Sequence, residues 1–384
     1  MFYNSFQAPR RYGMKRRIAF PEQVDIALTG KCNLRCKHCN TTETWDGRDE
    51  LSFGEVKDLL DQLKEQKIFR LDLFGGEPFY HPRFFKYLEL INRYPMRVTI
   101  LTNGTLIDEE AVRHLKKLRF LAIIQISIDG SKPEIHDWQR GEGSFEKAMR
   151  GVRLLLSNGV PVTIKAILNS HNYTDLDNMV ELARGLGLPG MHFGDAVECG
   201  KAAVYSDQMS FESEAHRKIM ENVFEVKKKY PGFEIGGTLG QKIDMLKDFY
   251  KQGPGSGTRG VFSTCPAGHS TLSIRSDGKV VPCSAFWTLI CGDVRKSSLK
   301  DIWENSEMLN RIRDLSDDKL AQHCSDCGKC DYMSHCNGGC RAAAYYMSNN
   351  DLRGIDPSTC LVFSNMTGTR IPREKVLSGE KGNK

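Results

Sequence analysis

The feature of this sequence that most constrains its fold is a regular alternation of short apolar runs and longer amphipathic stretches, which begins at residue 24. The apolar runs are VDIALT (24–29), FRLDLF (69–74), RVTILT (97–102), LAIIQISI (121–128), PVTIKAIL (161–168) and MHFG (191–194). Their length and apolar character predict strands, and apolar residues between them recur at helical spacing. Two such helical faces are Phe53, Val56, Leu59, Leu60 and Leu63, and Leu176, Met179, Val180, Ala183 and Leu186.

Strands that are apolar along most of their length, and that alternate with helices, indicate a parallel sheet covered by helices. About six such units favour a partial, TIM-like (β/α)6 barrel over the closed eightfold barrel. We therefore predict an α/β fold of this architecture. Active sites in such sheets lie at the carboxyl ends of the strands, so the residues that directly follow each strand are the first candidates for function.

The composition fits one large α/β domain and a smaller module, with 384 residues of which 40% are hydrophobic and 27% charged. The sequence contains no run of about 18 apolar residues and no signal peptide, so we expect a cytoplasmic protein that does not span a membrane. The net charge is only +6. A basic segment lies near the N-terminus, in RRYGMKRR (10–17), and we interpret it as a solvated arm; docking of an acidic partner or nucleic acid is the alternative. The mild charge argues against nucleic acid as a partner.

The thirteen cysteines favour metal ligation over disulfides, because their number is odd and no export signal is present. Three of them, Cys32, Cys36 and Cys39, lie within TGKCNLRCKHCN (29–40), directly after the first strand. A structural zinc takes four ligands and a cubane iron–sulfur cluster usually takes four cysteines. Three cysteines therefore indicate a distant fourth ligand, an open metal position, or a zinc knuckle completed by His38.

The second predicted strand is followed by Gly75, Gly76, Glu77 and Pro78. The glycines allow close approach of a ligand to the backbone, and the Glu77 carboxylate can accept a hydrogen bond from an ammonium group. An iron with an open position beside such a carboxylate suits a small zwitterion that binds through nitrogen and oxygen.

These two motifs together resemble the radical S-adenosylmethionine (radical SAM) family, whose hallmark is CxxxCxxC followed by a GGEP-type motif on a partial barrel. The resemblance implies that Cys32, Cys36 and Cys39 hold a [4Fe–4S] cluster whose open iron chelates the amine and carboxylate of SAM. One-electron reduction then cleaves SAM to a 5′-deoxyadenosyl radical. A reductant such as flavodoxin or ferredoxin is implied as a partner. His38 stands where the family often has an aromatic residue, and it can still stack beside the adenine.

Two later strand ends offer further polar groups, in TNG (102–104) and SIDG (127–130), and HDWQRG follows them. The candidates for the SAM ribose or carboxylate are Asn103, Ser127, Asp129 and Arg140. Ordinary turn chemistry is the alternative for each of them. Asp195 and Glu198, after the sixth strand, are weaker candidates for facing the ligand.

The C-terminal part carries a second set of cysteines at characteristic spacing. They are Cys265, Cys283, Cys327, Cys330, Cys336, Cys340 and Cys360. This spacing resembles the SPASM extension of many radical SAM maturases, which binds up to two auxiliary [4Fe–4S] clusters; a zinc ribbon is the alternative. The resemblance implies one cluster on Cys327, Cys330, Cys336 and Cys360 and another on Cys265, Cys283 and Cys340.

The second of these clusters lacks an evident fourth cysteine. Either its fourth position is open or filled by another residue type, or Cys291 or Cys324 completes it, and we favour Cys291 because it follows Cys283 closely. Cys199 is interpreted as a core thiol.

The predicted organisation of the chain follows from these motifs. It comprises a basic arm (1–23), a radical SAM partial barrel (24–215), a helical bridge and glycine-rich linker (216–260), a small cysteine-rich SPASM domain (261–363) and a polar tail (364–384).

SPASM enzymes are similar in acting mostly on peptides, so we expect a maturase that modifies a ribosomally made peptide or a peptide-derived cofactor precursor. Tetrapyrrole side-chain chemistry, as in haem or haem d1 synthesis, is the first alternative, because the segment CGKCDYMSHCNGGCRAAAYY resembles those enzymes as well. A non-enzymatic iron–sulfur electron carrier is the second, and it leaves GGEP without a role. Since the first strand begins by residue 24, no leader-binding segment is evident, and a peptide substrate would need a separate recognition protein or direct docking.

Overall fold

The computed structural model describes residues 18–40, 49–197, 199–209, 213–253 and 265–363. The strands are β1 (Gln23–Thr29), β2 (Arg70–Gly75), β3 (Arg97–Thr102), β4 (Leu121–Ser127), β5 (Val162–Leu168), β6 (Gly190–Asp195), β7 (Glu234–Gly236), β8 (Thr271–Ile274), β9 (Lys279–Val281) and β10 (Gly292–Asp293).

The helices that surround the sheet are α1 (Phe53–Glu65), α2 (Phe84–Ile91), α3 (Glu109–Leu115), α4 (Pro133–Arg140), α5 (Ser144–Ser157), α6 (Leu176–Gly185), α7 (Lys201–Val204), α8 (Ser206–Met209), α9 (Ser213–Lys229) and α10 (Gly237–Gln252). Those of the C-terminal part are α11 (Leu299–Asn305), α12 (Glu307–Arg313), α13 (Asp317–His323), α14 (Ser325–Gly328), α15 (Met333–Cys336), α16 (Arg341–Met347) and α17 (Pro357–Phe363). Short 3₁₀ turns occur at Pro78–Tyr80 and Tyr173–Asp175.

All strands form one sheet in the order β10-β9-β8-β1-β2-β3-β4-β5-β6-β7. Neighbouring strands from β8 through β1 to β7 are parallel, whereas β9 and β10 are antiparallel to their neighbours. Each of the six predicted strands is present, with boundaries within one residue of the prediction. The predicted parallel α/β fold is therefore confirmed.

Two parallel strands at the ends of the series, β7 and β8, were not predicted. β7 has only three residues, Glu-Ile-Gly, which are too few to show a periodic pattern. It lies in the segment interpreted as a helical bridge, where α10 forms as expected. Residues 1–17, 254–264 and 364–384, which include most of the predicted arm, the glycine-rich linker and the tail, lie outside the described residues.

Alternate residues of the strands face the helices. In β1, Val24, Ile26 and Leu28 belong to the main hydrophobic core, together with the apolar faces of α1 and α6. The other residues of β1 face the inside of the sheet, where Ala27 joins a small separate apolar cluster with Phe74, Val281 and Trp287. Because of this alternation, one face of the sheet packs against the helices, and the side chains of the inner face are the candidates for function.

The C-terminal cysteine-rich part is joined directly to the barrel strands. β8 pairs with β1 in parallel, and the Trp287 ring stacks on Phe74 at the end of β2, with centroids 5.8 Å apart. Asn40 Nδ2, one residue after the third cysteine of the loop, lies 3.5 Å from the Ser284 carbonyl oxygen. This arrangement brings Cys283 to the same end of the sheet as the first cysteine group. In the part of the chain that is described, no helix has the length and apolar character to cross a bilayer.

Candidate active site

The three-cysteine loop (29–40) begins where β1 ends and is tied to two helices by backbone hydrogen bonds. The Lys37 amide donates to the Gln139 carbonyl of α4 at 2.9 Å, and the Cys39 carbonyl accepts from the Lys201 amide of α7 at 2.9 Å. The loop is thus held across the carboxyl ends of the strands by elements far apart in sequence.

The thiols of this loop are poorly hydrated. Burial raises the pKa of Cys36 to about 12 and that of Cys32 to about 11. The neighbouring Cys39 contributes to both increases, which shows that the three sulfurs lie near one another. Thiolates so placed require a compensating cation, and an iron cluster supplies one because metal ligation deprotonates its cysteines. The donor set therefore fits the cluster that the resemblance implies.

The alternative of a zinc knuckle with His38 fits less well. Within the described ranges, no three Cys, His, Asp or Glu side chains converge on a single metal-ion position. Zinc needs all of its ligands at one ion, whereas a cubane cluster is held by thiolates that lie around it. The His38 ring instead contacts Arg140, with Nε2 3.3 Å from Nη2, and burial lowers its pKa to about 4.

The glycines of the GGEP motif serve the cysteine loop. The Gly76 amide donates to the Thr29 carbonyl at 2.8 Å, and the Glu77 amide donates to the Lys31 carbonyl at 2.9 Å. A Cβ on Gly75, whose φ is +148°, would collide with the Thr29 carbonyl oxygen, and one on Gly76 would collide with that of Lys31. We expected the glycines to admit a ligand. In the structure they admit the backbone of the cysteine loop, and Pro78 begins the 3₁₀ turn that follows.

Glu77 is fully buried and links the ends of β2 and β3. Its Oε1 accepts from Thr102 Oγ1 at 2.7 Å and from the Phe79 amide at 3.1 Å, and its Oε2 accepts from the Asn103 amide at 2.7 Å. Burial nevertheless raises the pKa of Glu77 to about 7. A carboxylate in this state is stabilised by any cation that arrives beside it.

Asn103 contacts the cysteine loop directly. Its Nδ2 donates to Asn33 Oδ1 at 2.9 Å and lies 3.9 Å from Cys32 Sγ. Its Oδ1 accepts from Thr105 Oγ1 at 2.6 Å. The structure thus brings Asn103 and Glu77 together with the first cysteine, as their positions at successive strand ends predict.

Asp129 and Arg140 form a buried ion pair behind the loop. Arg140 Nε donates to Asp129 Oδ2 at 2.5 Å, and Arg140 Nη1 lies 4.0 Å from Cys36 Sγ. Asp129 also accepts from Gln139 Nε2 at 3.0 Å and from the Ile167 amide at 2.8 Å. Burial opposes the charge on Arg140, but Asp129, with smaller contributions from Cys36 and Cys39, holds the pKa of Arg140 above its ordinary value. Both oxygens of the predicted ribose ligand, Asp129, are therefore occupied within the protein.

Lys165 is a charged residue of the inner face that the motif analysis missed. It lies on β5 directly beside Ser127 of β4, one of the predicted SAM ligands. Among the described residues, its ammonium has no hydrogen-bond or ion-pair partner, and burial lowers its pKa. Asp129, Arg140 and Asp72 are the charges that act on it. A lysine inside the apolar run PVTIKAIL is the signal in the sequence that identifies such a residue.

A second pair of acids lies deeper on the inner face. Asp25 of β1 and Asp72 of β2 are neighbours in register, and Gln23 Nε2 donates to both at 2.9 Å. Ser273 Oγ of β8 donates to Asp25 at 2.8 Å. Burial raises the pKa of both acids, that of Asp72 to about 7.

The first auxiliary cysteine group consists of Cys265, Cys283 and Cys340. We call it the nearer group, because Ser284, next to Cys283, lies beside Asn40 of the three-cysteine loop. Burial raises the pKa of Cys283 well above its ordinary value, and the other two cysteines add to the increase. The structure does not bring Cys291 to this group. Its Sγ donates to the Leu289 carbonyl at 3.6 Å, and its pKa, which burial raises to about 12, responds to none of the other cysteines.

The farther auxiliary group contains the four cysteines expected of it, Cys327, Cys330, Cys336 and Cys360. Burial raises the pKa of Cys327, and Cys336 and Cys360 contribute to the increase, while Cys330 acts in the same way on Cys336. Cys324 lies in this group too, since its Sγ accepts from the Cys327 amide at 3.4 Å. Cys324 is not among the groups that act on the pKa of Cys283 or Cys340.

Two of the three remaining candidates, Cys199 and Asp195, belong to the described residues. Cys199 is buried, and its pKa, raised to about 12 chiefly by burial, also responds to Cys39. Asp195 forms an ion pair with Lys242 of α10. Glu198 lies outside the described residues.

Two family models match the chain. Residues 26–183 match the Radical SAM superfamily, and residues 265–328 match the SPASM iron–sulfur cluster-binding domain. The AdoMet-dependent heme synthase of Methanosarcina barkeri is 30% identical over 336 residues, which cover 85% of this chain and 92% of that protein.

Further relatives are named for peptide products and maturation. The antilisterial bacteriocin subtilosin biosynthesis protein AlbA of Bacillus subtilis is 28% identical, covering 83% of this chain and 67% of AlbA. The mycofactocin maturase MftC of Mycobacterium tuberculosis is 27% identical, covering 89% of this chain and 84% of MftC.

Solved structures show the same fold. Streptococcus suis SuiB bound to S-adenosylmethionine superposes with a TM-score of 0.72 at 17% identity, over 89% of this chain and 77% of SuiB. anSMEcpe with bound AdoMet superposes with a TM-score of 0.68 at 19% identity, over 93% of this chain and 96% of anSMEcpe. The sequence relatives, the family models and the site geometry agree, and the chain belongs to the radical SAM enzymes that carry a C-terminal SPASM domain.

Proposed function

We propose that this enzyme cleaves SAM reductively and uses the resulting 5′-deoxyadenosyl radical to abstract a hydrogen atom from an unactivated carbon of its substrate. The observation that carries the proposal is the convergence of the three-cysteine loop, Glu77 and Asn103 at one edge of the parallel sheet. Cys32, Cys36 and Cys39 would hold a [4Fe–4S] cluster, which supplies the electron for SAM cleavage when it is bound.

Glu77 is the proposed partner of the SAM ammonium group. Its carboxylate is desolvated and its pKa stands near 7, so an arriving cation would complete its charge balance. Thr102 and the Asn103 amide orient the carboxylate, and the Asn103 side chain holds the cysteine loop in place.

Lys165 is the proposed partner of the SAM carboxylate. The sequence pointed to Arg140, but that guanidinium already pairs with Asp129 in the protein. Lys165 has no such partner in the described residues, and Ser127, a hydroxyl donor, stands beside it on β4. An ammonium and a hydroxyl side by side suit a carboxylate. Asp129 then acts by fixing Arg140 against the cysteine loop.

The C-terminal cysteines are proposed to hold up to two auxiliary clusters. The farther group has four cysteines that suit a closed cluster, and the nearer group has three among the described residues. The nearer cluster would therefore take its fourth ligand from another residue type or leave a position open. Because thiolate-bound clusters require reducing conditions, we place the enzyme in the cytoplasm.

The proposed substrate is a ribosomally made peptide or a peptide-derived cofactor precursor. AlbA and MftC, which share 28% and 27% of their aligned residues with this chain, are named for bacteriocin biosynthesis and mycofactocin maturation. SuiB, which has the same fold, has been solved with its precursor peptide SuiA. The peptide would dock directly on the enzyme or be delivered by a separate recognition protein.

A tetrapyrrole is the second candidate substrate. The Methanosarcina barkeri heme synthase matches this chain at 30% identity over nearly its whole length. Side-chain chemistry on a carboxylated tetrapyrrole would use the same radical.

The test begins with anaerobic reconstitution, followed by dithionite and SAM. Formation of 5′-deoxyadenosine is expected in the wild type and not in Cys32→Ala, and its absence from the reconstituted wild type would overturn the proposal. Candidate peptides encoded near the gene, and a carboxylated porphyrin, are then supplied in deuterated form. Deuterium in 5′-deoxyadenosine identifies which class donates the hydrogen atom.

A further inference from the structure

The amino-terminal edge of the sheet, at the opposite end of the strands from the cysteine loop, carries a concentration of positive charge. Residues 64–70, 92–97 and 116–120 lead into β2, β3 and β4. Together they contain eight basic residues and one acid, although the whole chain has a net charge of only +6. The basic residues are Lys64, Lys67, Arg70, Arg93, Arg97, Lys116, Lys117 and Arg119. The small net charge of the chain therefore conceals a local excess at this edge.

The three segments lie side by side. The Phe69 carbonyl accepts from the Arg97 amide at 2.7 Å, and the Phe120 carbonyl accepts from the Val98 amide at 2.9 Å. Phe69 and Phe120 thus flank the start of β3, and their backbones lie two strand spacings apart, roughly 10 Å. Because β2 has 6 residues, this edge lies roughly 20 Å from the strand ends that carry the candidate active site.

Two phenyl rings are exposed among these cations. Phe69 is 62% exposed and Phe120 is 41% exposed. The guanidinium carbon of Arg119 lies 5.3 Å from the centroid of the Phe120 ring. Since covering a phenyl ring removes apolar surface from water, this edge offers a partner apolar contact as well as charge.

The acids near this edge leave most of its charge uncompensated. Glu22 precedes β1 and Glu65 ends α1, and both are exposed. Asp61 of α1 and Glu89 of α2 lie beside other basic groups, at 2.7 Å and 3.9 Å. Among the described residues, the cations of this edge that form no ion pair include Lys67, Arg93, Arg97, Lys116, Lys117 and Arg119.

Stabilisation of helix ends accounts for only part of this charge. Lys64 lies in the last turn of α1, where a cation interacts favourably with the helix dipole. That effect does not explain Arg97 and Arg119, which lie at strand starts, or the exposed rings. The corresponding segments before β5 and β6, SNGVP (157–161) and GLGLPG (185–190), contain no charged residue. The charge is therefore confined to one stretch of the edge.

We propose that Phe69, Phe120 and the basic residues of these three segments form a membrane-binding surface, the basic edge, which docks on a bilayer of anionic lipid. Each Lys or Arg near an anionic bilayer adds to the attraction, and phenyl rings enter the boundary between headgroups and acyl chains. The inference does not rest on the proposed function. Because the basic edge lies opposite the cysteine loop, docking there leaves the carboxyl ends of the strands open to solvent.

A bilayer fits the basic edge better than the other anionic partners do. Most of its cations are exposed and are not fixed by ion pairs within the described residues, which suits a fluid array of lipid phosphates. An acidic protein is instead recognised by arginines held for bidentate pairing and by Trp or Tyr anchors in pockets. A second copy of the chain does not fit, because a two-fold interface would bring like charges together. A nucleic acid, whose bases could stack on the rings, is the competing occupant.

The experiment measures sedimentation of the reconstituted enzyme with lipid vesicles. One set of vesicles is phosphatidylcholine alone, and the other is phosphatidylcholine and phosphatidylserine in equal amounts. The charge variant is Lys117→Glu with Arg119→Glu, and the apolar variant is Phe69→Ser with Phe120→Ser. Iron content and melting temperature are measured for each variant, because both should match wild type if the fold is intact.

The expected result is binding that depends on anionic lipid and on the basic edge. Wild type should bind the phosphatidylserine vesicles and not phosphatidylcholine alone, and its binding should weaken as salt is raised. The lipid concentration for half-maximal binding should rise by about 10-fold or more in the charge variant and by about 10-fold in the apolar variant.

The matched control is Lys147→Glu with Arg150→Glu, which makes the same charge change at exposed positions of α5. It should bind the phosphatidylserine vesicles within about twofold of wild type, because α5 lies outside the basic edge.

Three outcomes would overturn the inference. One is wild type that binds both kinds of vesicle equally, or neither. Another is a charge variant that binds phosphatidylserine vesicles as tightly as wild type does, which would assign the attraction to other cations, such as those of residues 10–17. The third is an apolar variant that loses binding to single-stranded DNA but keeps its binding to vesicles, which would assign the rings to nucleic acid. Failure of the proposed function would be seen separately, as absence of 5′-deoxyadenosine with dithionite and SAM, whereas vesicle binding is measured without SAM.

Discussion

Glu77 illustrates how a single carboxylate can both organise a site and remain available to a ligand. Its two oxygens accept from Thr102, Phe79 and Asn103, which ties β2, β3 and the 3₁₀ turn together. Its raised pKa shows that these hydrogen bonds do not fully replace the water lost on burial. An ammonium group is the ligand whose positive charge would compensate the buried Glu77 carboxylate.

Replacing Glu77 by Gln is predicted to weaken SAM binding. A charge-assisted hydrogen bond contributes about 1.5–3 kcal/mol, so the dissociation constant should rise by roughly 10-fold to 150-fold while iron content is retained. Equilibrium dialysis with SAM measures the dissociation constant, and a colorimetric iron assay measures the iron content. Thr102→Val, which removes one hydrogen bond to Glu77 but no charge, should have a smaller effect. An unchanged dissociation constant in Glu77→Gln would show that this carboxylate does not meet SAM.

Lys165→Met should likewise weaken SAM binding, by roughly 10-fold to 150-fold, because the carboxylate would lose its charged partner. The control is Lys147→Met, at an exposed position of α5. If SAM binds Lys165→Met as tightly as wild type and binds Arg140→Met weakly, then Arg140 is the carboxylate partner despite its ion pair with Asp129.

The acid pair on the inner face predicts a pH effect on stability. The folded-state pKa of Asp72 lies near 7, above the ordinary value of 3.8, because burial disfavours its charge. The folded state is therefore favoured while Asp72 keeps its proton, and this contribution is lost as pH rises through the window from about 4 to about 7. Asp72→Asn stays neutral, so its melting temperature relative to wild type should be higher at pH 8 than at pH 5. Differential scanning fluorimetry under anaerobic conditions measures this difference, and the exposed Asp58→Asn should show no such trend.

Among the elements of the C-terminal part, one buried carboxylate, that of Asp356, connects the short segments that carry the two auxiliary cysteine groups. Asp356 Oδ2 accepts from the Cys340 amide at 2.8 Å and from Thr359 Oγ1 at 2.6 Å, which positions the start of α17 and hence Cys360. Ser358 extends the contact to Lys242 of α10 at 2.9 Å. One network thus fixes a cysteine of each auxiliary group relative to the barrel.

Two cysteine replacements in these elements should behave oppositely. Cys330→Ala removes a ligand of the farther group and should lower the iron content by about four per chain, with poorer folding because metal binding and folding are coupled. Cys291→Ala should leave the iron content and the electron paramagnetic resonance spectrum unchanged, since Cys291 packs in the main core, whereas Cys265, Cys283 and Cys340 belong to a separate apolar cluster. A changed auxiliary signal in Cys291→Ala would restore Cys291 as a ligand.

At the scale of the whole molecule, one sheet carries both cysteine-rich regions. β8 adds to the edge of the barrel beside β1, so the Cys283 segment and the three-cysteine loop meet at the same end. The inner face between them carries Asp25, Asp72 and Lys165. Under the proposed function, a substrate held there would lie between the three-cysteine loop and the group of Cys265, Cys283 and Cys340.

An iron count tests this arrangement as a whole. Three [4Fe–4S] clusters correspond to about twelve iron atoms per reconstituted chain. Replacing Cys32, Cys36 and Cys39 together by Ala should remove about four and abolish 5′-deoxyadenosine formation, while the auxiliary signals remain. Retention of SAM cleavage in the triple variant would contradict the assignment of the catalytic cluster.

Local pattern was sufficient for the strands of the parallel sheet. The six apolar runs form β1 to β6, because the apolar pattern of a strand is a property of consecutive residues. GGEP lies beside the cysteine loop, because both follow neighbouring parallel strands, whose carboxyl ends meet at the same edge of the sheet. The grouping of Cys327, Cys330, Cys336 and Cys360 was implied by the resemblance to the SPASM extension, and it stays a prediction; in the structure Cys336 and Cys360 act on the pKa of Cys327.

Only the tertiary structure decided which groups are already paired and which remain available. Arg140 matched the expected motif but is paired with Asp129, Cys291 followed Cys283 closely but packs in another core, and Lys165 lay unnoticed within an apolar strand. The pairing of β8 with β1, which lie more than two hundred residues apart in sequence, was likewise decided only by the tertiary structure. Ion pairing, burial and strand order depend on contacts between segments that are distant in sequence. The spacing of residues along the chain does not determine how far apart such segments lie in space.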